Sequence, residues 1–223
     1  ENRIIAKLGL GMLSAGPHKV GLRSLLDVCG LTGKAIDSYN IGFMVAPRIN
    51  TASRLDHALP SYELMMTESV ERAQELAAWL EQKNLERQQI TQQAAESARA
   101  QIARNGIKPL LIVEAGDFPA GVSGLVAGRM ADEYYRPTVV IKTGKRVSTG
   151  SCRSIPEFNI VQALTKCDEL FTEYGGHSQA AGFTILTHNL QMLEERLIKL
   201  ATRDLEGVDL RPRIDIDAEV EFK

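Results

Sequence analysis

The sequence predicts an α/β protein, in which a helical N-terminal segment and a long connecting helix precede an α/β domain with a mixed sheet. Its 223 residues are 44% hydrophobic, which is enough to bury a substantial core. No glycine or proline interrupts residues 61–104, and most residues there are strong helix formers. After Asn105-Gly106, short aliphatic runs alternate with helical stretches, a pattern typical of α/β domains.

The first half of the chain is expected to be helical throughout. Residues 1–60 contain short helical patterns broken by glycine and proline, which predicts a compact region of short helices and turns. From about residue 61 to 105, apolar residues recur at three- and four-residue steps, so one long helix or two nearly continuous helices are expected. Asn84 and Arg87 interrupt this stripe, as in a helix between two domains; a solvated coiled-coil arm is the alternative.

The second half supplies the strands and helices of the α/β domain. Buried strands are expected at residues 110–113, 138–141, 147–152 and 183–186, and helices at 121–134, 159–174 and 189–203. Asn159 and Asn189 are the expected caps of the last two helices. Strict alternation of apolar and acidic residues over 214–222 predicts a final half-buried strand.

Charge is distributed unevenly along a nearly neutral chain. The net charge of −2 excludes a generic polycation, so a polyanion would have to meet a local basic patch. Such a patch is predicted between Tyr134 and Pro156, where no acidic residue occurs; a solvated hairpin is the alternative. Its basic residues are Arg136, Lys142, Lys145, Arg146 and Arg153.

Three irregularly spaced cysteines form no disulfide framework, so the cytoplasm is the expected location. No apolar run reaches the roughly 20 residues that would span a bilayer, and no membrane partner is expected.

The run from Gly175 to Phe183 is the most informative part of the sequence. Two glycines can turn backbone N–H groups toward a ligand, and His177 can donate a hydrogen bond. The small residues that follow are expected to start a helix, whose N-terminus would add positive partial charge. The run therefore predicts a phosphate pocket; a glycine cap that ends the helix before Tyr174 is the alternative.

Three further segments, 46–55, 121–124 and 150–156, are expected to be polar loops that line the same phosphate-binding groove. The candidate phosphate-binding residues are Arg48, Asn50, Arg54, Ser123, Arg153, Ser154, Gly175, Gly176 and His177. The alternatives are salt bridges at a domain interface for Arg48 and Arg54, a helix N-cap for Ser123 and a strand edge for Arg153. No metal-ligand spacing, catalytic triad or P-loop occurs, so no catalytic or metal-binding residue is assigned.

Taken in order, the motifs resemble those of the RecJ-type single-strand-specific exonucleases of the DHH phosphoesterase superfamily. The motifs are Glu1-Asn2-Arg3, Pro47-Arg48-Ile49-Asn50-x-Ala52-x-Arg54-Leu55, Asn84 with Arg87-Gln88, Gly121-Val122-x-Gly124, Gly150-Ser151-x-Arg153-Ser154, and Gly175-Gly176-His177 with Ala180-Ala181-Gly182. Thr51, Ser53 and Cys152 depart from the family pattern, which has smaller residues at these positions.

The resemblance implies a domain organisation. In the family, a domain with Asp and His-His ligands for Mn²⁺ or Mg²⁺ is joined by a long helix to a DHH-associated domain, and a β-barrel often follows. By this resemblance, residues 1–60 are the end of the DHH catalytic domain, 61–105 the connecting helix, 106–205 the DHH-associated substrate-binding domain, and 206–223 a linker and first strand toward the barrel.

The resemblance also implies a function. The chain is expected to be the substrate-binding part of an exonuclease that hydrolyses single-stranded DNA 5′ to 3′ with a divalent metal, in DNA repair and recombination. The metal ligands are expected upstream, so this chain alone is expected to be inactive and to bind no metal. The alternatives are a non-catalytic nucleotide- or RNA-binding module and a phosphoesterase for oligonucleotides or cyclic dinucleotides.

Overall fold

The computed structural model describes residues 1–17, 19–212 and 216–220. The chain forms two compact units, Glu1–Gln92 and Gln93–Lys223. The first unit has its own apolar core, and the second has one core on each face of a sheet.

The first unit is helical, as the sequence predicts. It contains α1 (Asn2–Ser14), α2 (Val20–Val28), a π-helical segment (Asn40–Val45), α3 (Ala46–Leu55), α4 (Leu59–Met66) and the first part of α5 (Val70–Asn105). Leu25, Leu64 and Leu80 are fully buried in its core. Gly21 allows α2 to approach α4 closely, because a Cβ at this position would lie 1.7 Å from the Leu64 carbonyl oxygen.

The long helix is one of two successive helices. The chain leaves helical structure after Met66, and α5 then runs for 36 residues. Asn84, at the predicted polar break, is 1% exposed, and its side-chain oxygen accepts a hydrogen bond of 3.0 Å from Arg87. The polar break is therefore a hydrogen-bonded pair within the helix.

The second unit contains a five-stranded mixed sheet. Its elements after α5 are β1 (Leu111–Glu114), α6 (Ala120–Tyr134), β2 (Thr138–Lys142), β3 (Val147–Arg153), α7 (Ile160–Thr165), β4 (Phe171–His177), β5 (Ala180–Leu186) and α8 (Leu190–Asp204). The strand order is β1-β2-β3-β5-β4, with β1 parallel to β2 and the other pairs antiparallel. This architecture confirms the predicted fold class.

Helices pack on both faces of the sheet. On one face, Ala98 of α5 and Val126 of α6 share a buried cluster with Val113 and Val140. On the other, α7 and α8 bury apolar side chains against Val139, Phe183 and Ile185. Residues that alternate along each strand therefore face different helices.

The helix predicted over 159–174 is much shorter in the structure. The Asn159 side chain caps α7 by accepting a hydrogen bond from the Gln162 N–H at 3.2 Å, as predicted, but α7 ends at Thr165. A β-bulge between Phe171 and Glu173 brings Phe171 and Tyr174 to the same face of β4, with ring centroids 5.1 Å apart. The helix was predicted because Ile160, Leu164, Cys167 and Phe171 recur at helical spacing. All four pack in or against one buried cluster, but Cys167 follows α7 and Phe171 begins β4, so the prediction was wrong beyond Thr165.

The predicted C-terminal strand lies only partly within the described residues. Positions 213–215 and 221–223 are outside them, and residues 216–220 belong to no strand.

Candidate nucleic-acid interface

The glycine-glycine-histidine run forms a β-hairpin, so the predicted helix start is wrong. Gly175, Gly176 and His177 end β4, and Ala180 begins β5. Gly176 has φ of +148°, and a Cβ there would lie 2.3 Å from the carbonyl oxygen of Ala180. Only glycine accepts both this dihedral angle and this close approach. The glycine therefore closes the hairpin that carries His177.

Two backbone hydrogen bonds tether the hairpin tip to the segment between β3 and α7. Ser154 N–H donates to the carbonyl oxygen of Gln179 at 2.9 Å, and Ile160 N–H donates to that of Ser178 at 3.0 Å. The Ser154 hydroxyl donates to the Phe158 carbonyl oxygen at 2.6 Å. Ser154, a predicted phosphate ligand, thus helps to fix the position of His177.

Strands β3, β5 and β4 present one face to the core and another that we call the open face. The registers place the residues of the open face in three rows across the strands. These rows are Arg153–Ala180–His177, Ser151–Gly182–Gly175 and Thr149–Thr184–Glu173. Every residue of the open face is partly or fully exposed, and Ala180 is its largest purely aliphatic residue.

The first row brings together two of the predicted phosphate ligands. Arg153 and His177 both pair with Ala180, from opposite sides, so their Cα atoms are about 10 Å apart, two strand spacings. A guanidinium fork and a ring N–H are therefore available on one exposed surface.

Arg153 is held against helix α6. Its Nη1 donates to the carbonyl oxygen of Cys152 at 2.8 Å, and a Cβ at Gly124 would lie 3.2 Å from its Nη2. Gly124 lies within α6, so the loop predicted over 121–124 is wrong. This glycine leaves room for the arginine beside the helix.

Ser123 is neither an exposed phosphate ligand nor the N-cap of a helix. It lies inside α6, whose N-cap position is Pro119, so it is not an N-cap. The side chain is buried, and its Oγ has no hydrogen-bond partner among the described residues. Ser123 is therefore not exposed on the open face.

The remaining candidates, Arg48, Asn50 and Arg54, lie in the first unit. The loop predicted over 46–55 is helix α3, whose start accommodates Pro47. Arg48 forms an ion pair with Glu81 and donates to the Met44 carbonyl oxygen at 2.6 Å. Asn50 is exposed, and Arg54 is half-buried.

A second arginine lies near Arg54. Burial, and secondarily the positive charge of Arg54, lower the pKa of Arg87. The buried Nε of Arg87 has no hydrogen-bond partner among the described residues. Arg87 interrupts the apolar stripe of the helix and belongs to the family motifs, but the proximity of its charge to that of Arg54 depends on the packing of α3 and α5.

The five basic residues between Tyr134 and Pro156 do not form one cluster. Lys145 and Arg146 lie in the turn before β3, whereas Arg153 ends this strand. Seven residues of extended chain separate Arg146 from Arg153, a distance of about 23 Å. The Nζ of Lys142 donates to the Gly116 carbonyl oxygen, and Nη1 of Arg136 to that of Leu210. Basic residues that are close in the sequence are therefore far apart in space, because the extended strand β3 separates them.

The described residues contain no exposed cysteine and no cluster of metal ligands. Cys29, Cys152 and Cys167 are free and buried, and burial raises the pKa of Cys152 to about 12. Within residues 1–17, 19–212 and 216–220, no three His, Cys, Asp or Glu side chains are grouped so that they could hold a metal ion. The described residues therefore do not fit a Mn²⁺ or Mg²⁺ centre. Across the same ranges, no helix combines the length and apolar character needed to span a membrane.

A cavity of about 200 Å³ lies elsewhere, at the β1 edge of the sheet. Its lining includes Gln101, Lys108, Glu114 and Glu194. Burial, followed by the charge of Glu114, raises the pKa of Glu194. None of the predicted phosphate ligands lines this cavity.

Comparisons with known proteins identify a domain family and several proteins that are similar to this chain. Residues 108–203 match the family model of the DHHA1 domain. The single-stranded-DNA-specific exonuclease RecJ of Bacillus subtilis is 34% identical over 220 residues, which are 97% of this chain and 28% of that protein. The same enzyme from Thermus thermophilus is 35% identical over 184 residues, which are 82% of this chain and 26% of that protein.

Solved structures give the same result for the fold. The crystal structure of RecJ from Thermus thermophilus in complex with Mn²⁺ matches with a TM-score of 0.81 and 32% identity, over 91% of this chain and 30% of that chain. A crystal structure of exonuclease RecJ bound to manganese matches with a TM-score of 0.76 and 30% identity, over 94% of this chain and 52% of that chain. The chain spans 28% or less of the two curated relatives named above. The resemblance inferred from the sequence is confirmed: the chain contains a DHHA1 domain and is similar over most of its length to RecJ exonucleases.

Proposed function

We propose that the open face binds the sugar–phosphate backbone of single-stranded DNA in a RecJ-type exonuclease. The observation that carries this proposal is the row Arg153–Ala180–His177, which exposes two hydrogen-bond donors on a surface of small residues. Two relatives, 34% and 35% identical to this chain, are named as single-stranded-DNA-specific exonucleases.

The chemistry of the first row suits a phosphodiester. Arginine presents a rigid fork of N–H groups that matches phosphate oxygens, and the His177 ring can donate one further hydrogen bond. Gly175 and Gly182 in the second row leave space for the backbone of a strand to approach.

We also propose the domain organisation that the family resemblance implies. Residues 1–60, 61–105, 106–205 and 206–223 would be the end of a DHH catalytic domain, a connecting helix, the DHH-associated domain and the entry to a β-barrel. Ligands for Mn²⁺ or Mg²⁺ would lie in a domain beyond this chain, and hydrolysis would run 5′ to 3′ during DNA repair and recombination in the cytoplasm. The 223-residue chain alone would then not hydrolyse single-stranded DNA. In the first unit, Asn50 and Arg54 would contact the nucleic acid, and Arg48 would do so only on release from its ion pair with Glu81.

The test measures the affinity of the 223-residue chain for fluorescent oligothymidylate dT12 at low salt. Arg153→Gln removes a charge-assisted hydrogen bond worth about 1.5–3 kcal/mol, so affinity should fall about 10- to 100-fold. Arg203→Gln, an exposed arginine on α8 across the sheet, is the matched control and should change affinity less than twofold.

The salt dependence provides the second readout. Each phosphate contact contributes a slope of about −0.7 to the plot of log affinity against log salt, so Arg153→Gln should flatten the slope by about that amount. Equal affinities and slopes for Arg153→Gln, Arg203→Gln and the unmodified chain would reject the proposal.

A further inference from the structure

We propose that Glu173 ends the phosphate-binding part of the open face and separates it from the basic turn at Lys145 and Arg146. This inference rests on the proposed function and adds a residue that limits how many phosphates the face can bind. Glu173 belongs to none of the sequence motifs discussed above.

Regular strand pairing places Glu173 on the open face. Glu173, Gly175 and His177 pair with Thr184, Gly182 and Ala180 without a register shift, so alternate residues of β4 share this face. The β-bulge lies before Glu173 and affects Phe171, which pairs with Ile185 and lies on the core face with Tyr174. The acidic side chain therefore lies in line with His177.

Glu173 is the acidic member of a surface otherwise suited to anions. Four residues of strand separate it from His177, about 13 Å, and the row between them is uncharged. The side chain is exposed, and no ion pair of Glu173 occurs in the part of the chain that the structure describes. Its negative charge therefore acts on whatever occupies the third row.

The basic turn lies past this acidic residue. In β3, Thr149 occupies the same row as Glu173, and Arg146 precedes Thr149 by three residues. A strand that follows the open face from Arg153 toward Arg146 would place a phosphate in the third row, where the Cα atom of Glu173 lies two strand spacings, about 10 Å, from that of Thr149. Repulsion between like charges disfavours that path. Lys145 and Arg146 would then add little to binding, although the sequence groups them with Arg153.

The experiment combines Glu173→Gln with the double substitution Lys145→Ala/Arg146→Ala in the 223-residue chain. Glu173→Gln should raise the affinity for dT12 about threefold, the factor for removing one unit charge about 7 Å from a phosphate in a water-like dielectric. Thymidine 5′-monophosphate, which cannot reach the third row from Arg153, should bind with unchanged affinity. Glu195→Gln on α8 is the control for net charge and should have no effect on either ligand.

The double substitution tests the separation directly. It should change dT12 affinity less than twofold in the unmodified chain and at least threefold in the Glu173→Gln background. An effect of Lys145→Ala/Arg146→Ala that is the same in both backgrounds would overturn the inference. So would unchanged affinity in Glu173→Gln while Arg153→Gln still weakens binding, a result that leaves the proposed function standing. Unchanged affinity in Arg153→Gln would reject the proposed function itself.

Discussion

The two faces of strands β3, β5 and β4 are made from alternate residues of the same segments, yet their compositions differ sharply. The core face carries Cys152, Phe183 and Ile185, each no more than 5% exposed. The open face carries Ser151, Gly182 and Thr184 at the neighbouring positions. If these strands served only to hold the sheet together, larger polar side chains would suit the exposed positions as well as small ones. Ser151 lies beside Gly124 of α6, and Gly182 on the neighbouring strand leaves room for a ligand.

The two faces also contain glycines with different roles. A Cβ at Gly150, on the core face, would lie 2.1 Å from Cζ of Phe183, whereas at Gly182, on the open face, the nearest atom would be 3.5 Å away. Gly150 is therefore required by packing. Packing does not require a glycine at position 182, so the space above Gly182 is available to a bound DNA strand.

The largest effect is expected from removing the central aromatic ring of the core face. Phe183→Ala should lower the free energy of unfolding by about 3–5 kcal/mol, the usual range for a buried phenylalanine. Thr184→Ala, the next residue and on the open face, should change it by less than about 1 kcal/mol. Urea unfolding of both variants measures the difference, and similar losses would show that the two faces are packed alike.

Alkaline pH should reveal the burial of Cys152. Its pKa is raised from the ordinary value of 9.0 to about 12 in the folded chain, so the unfolded chain loses the thiol proton first. The stabilisation from this thiol is complete below pH 9 and is lost as the pH rises toward 12, at about 1.4 kcal/mol per pH unit.

The control for this pH dependence is Cys152→Ala. The free energy of unfolding in urea, measured between about pH 8 and 10.5, should fall less steeply with pH for this variant than for the unmodified chain. Parallel curves would mean that the thiol is accessible to solvent, against the assignment of β3 to a sealed core face.

Gly150→Ala should destabilise the chain by about 1–3 kcal/mol, as overpacking of a core does. Its matched partner Gly182→Ala should stay within about 1 kcal/mol of the unmodified chain but weaken dT12 binding, because the added methyl group occupies the open face. Thermal unfolding and fluorescence anisotropy test the two halves of this prediction. Full binding by Gly182→Ala would contradict the role given to the open face.

The smallest effect concerns the position of Arg153. Gly124→Ala adds a Cβ 3.2 Å from Nη2 of Arg153, whereas Gly128→Ala adds one 3.9 Å from Cγ. Both changes favour the helix and should raise stability by up to about 1 kcal/mol. Only Gly124→Ala should weaken dT12 binding, by a fewfold, because it moves the guanidinium. Equal affinities in the two variants would show that the position of Arg153 does not matter.

Much of the fold could be predicted from local patterns, and the errors have local causes. The alternation of apolar runs and helix formers predicted the fold class, and the Asn159 cap was recognised because its side chain satisfies the first turn of α7. The prediction of a helix over 159–174 failed because Cys167 and Phe171 continue the helical spacing of Ile160 and Leu164 in the sequence, although both lie beyond α7. The position of Phe171 depends on the pairing of β4 with β5, which sequence periodicity does not contain.

The candidate site was predicted by residue type but not by arrangement. Arg153 and His177 are 24 positions apart and meet only because β5 lies between their strands. Glu173 carried no motif and could be found only from the register. Conversely, Arg48 has the residue type of a phosphate ligand, yet its guanidinium is paired with Glu81. Ion pairing of this kind depends on tertiary packing and leaves no signal in the spacing of charges.

The most direct test of the open face compares two neighbouring methyl groups. Ala180 and Ala181 are consecutive in β5, but Ala180 lies between Arg153 and His177 on the open face, and Ala181 is 7% exposed on the core face. Titration of the chain, labelled with ¹³C at alanine methyl groups, with dT12 should shift the Ala180 methyl resonance progressively to saturation and leave that of Ala181 almost unchanged. A saturable titration that shifts Ala181 and not Ala180, or that shifts neither, would contradict the assignment of DNA binding to the open face.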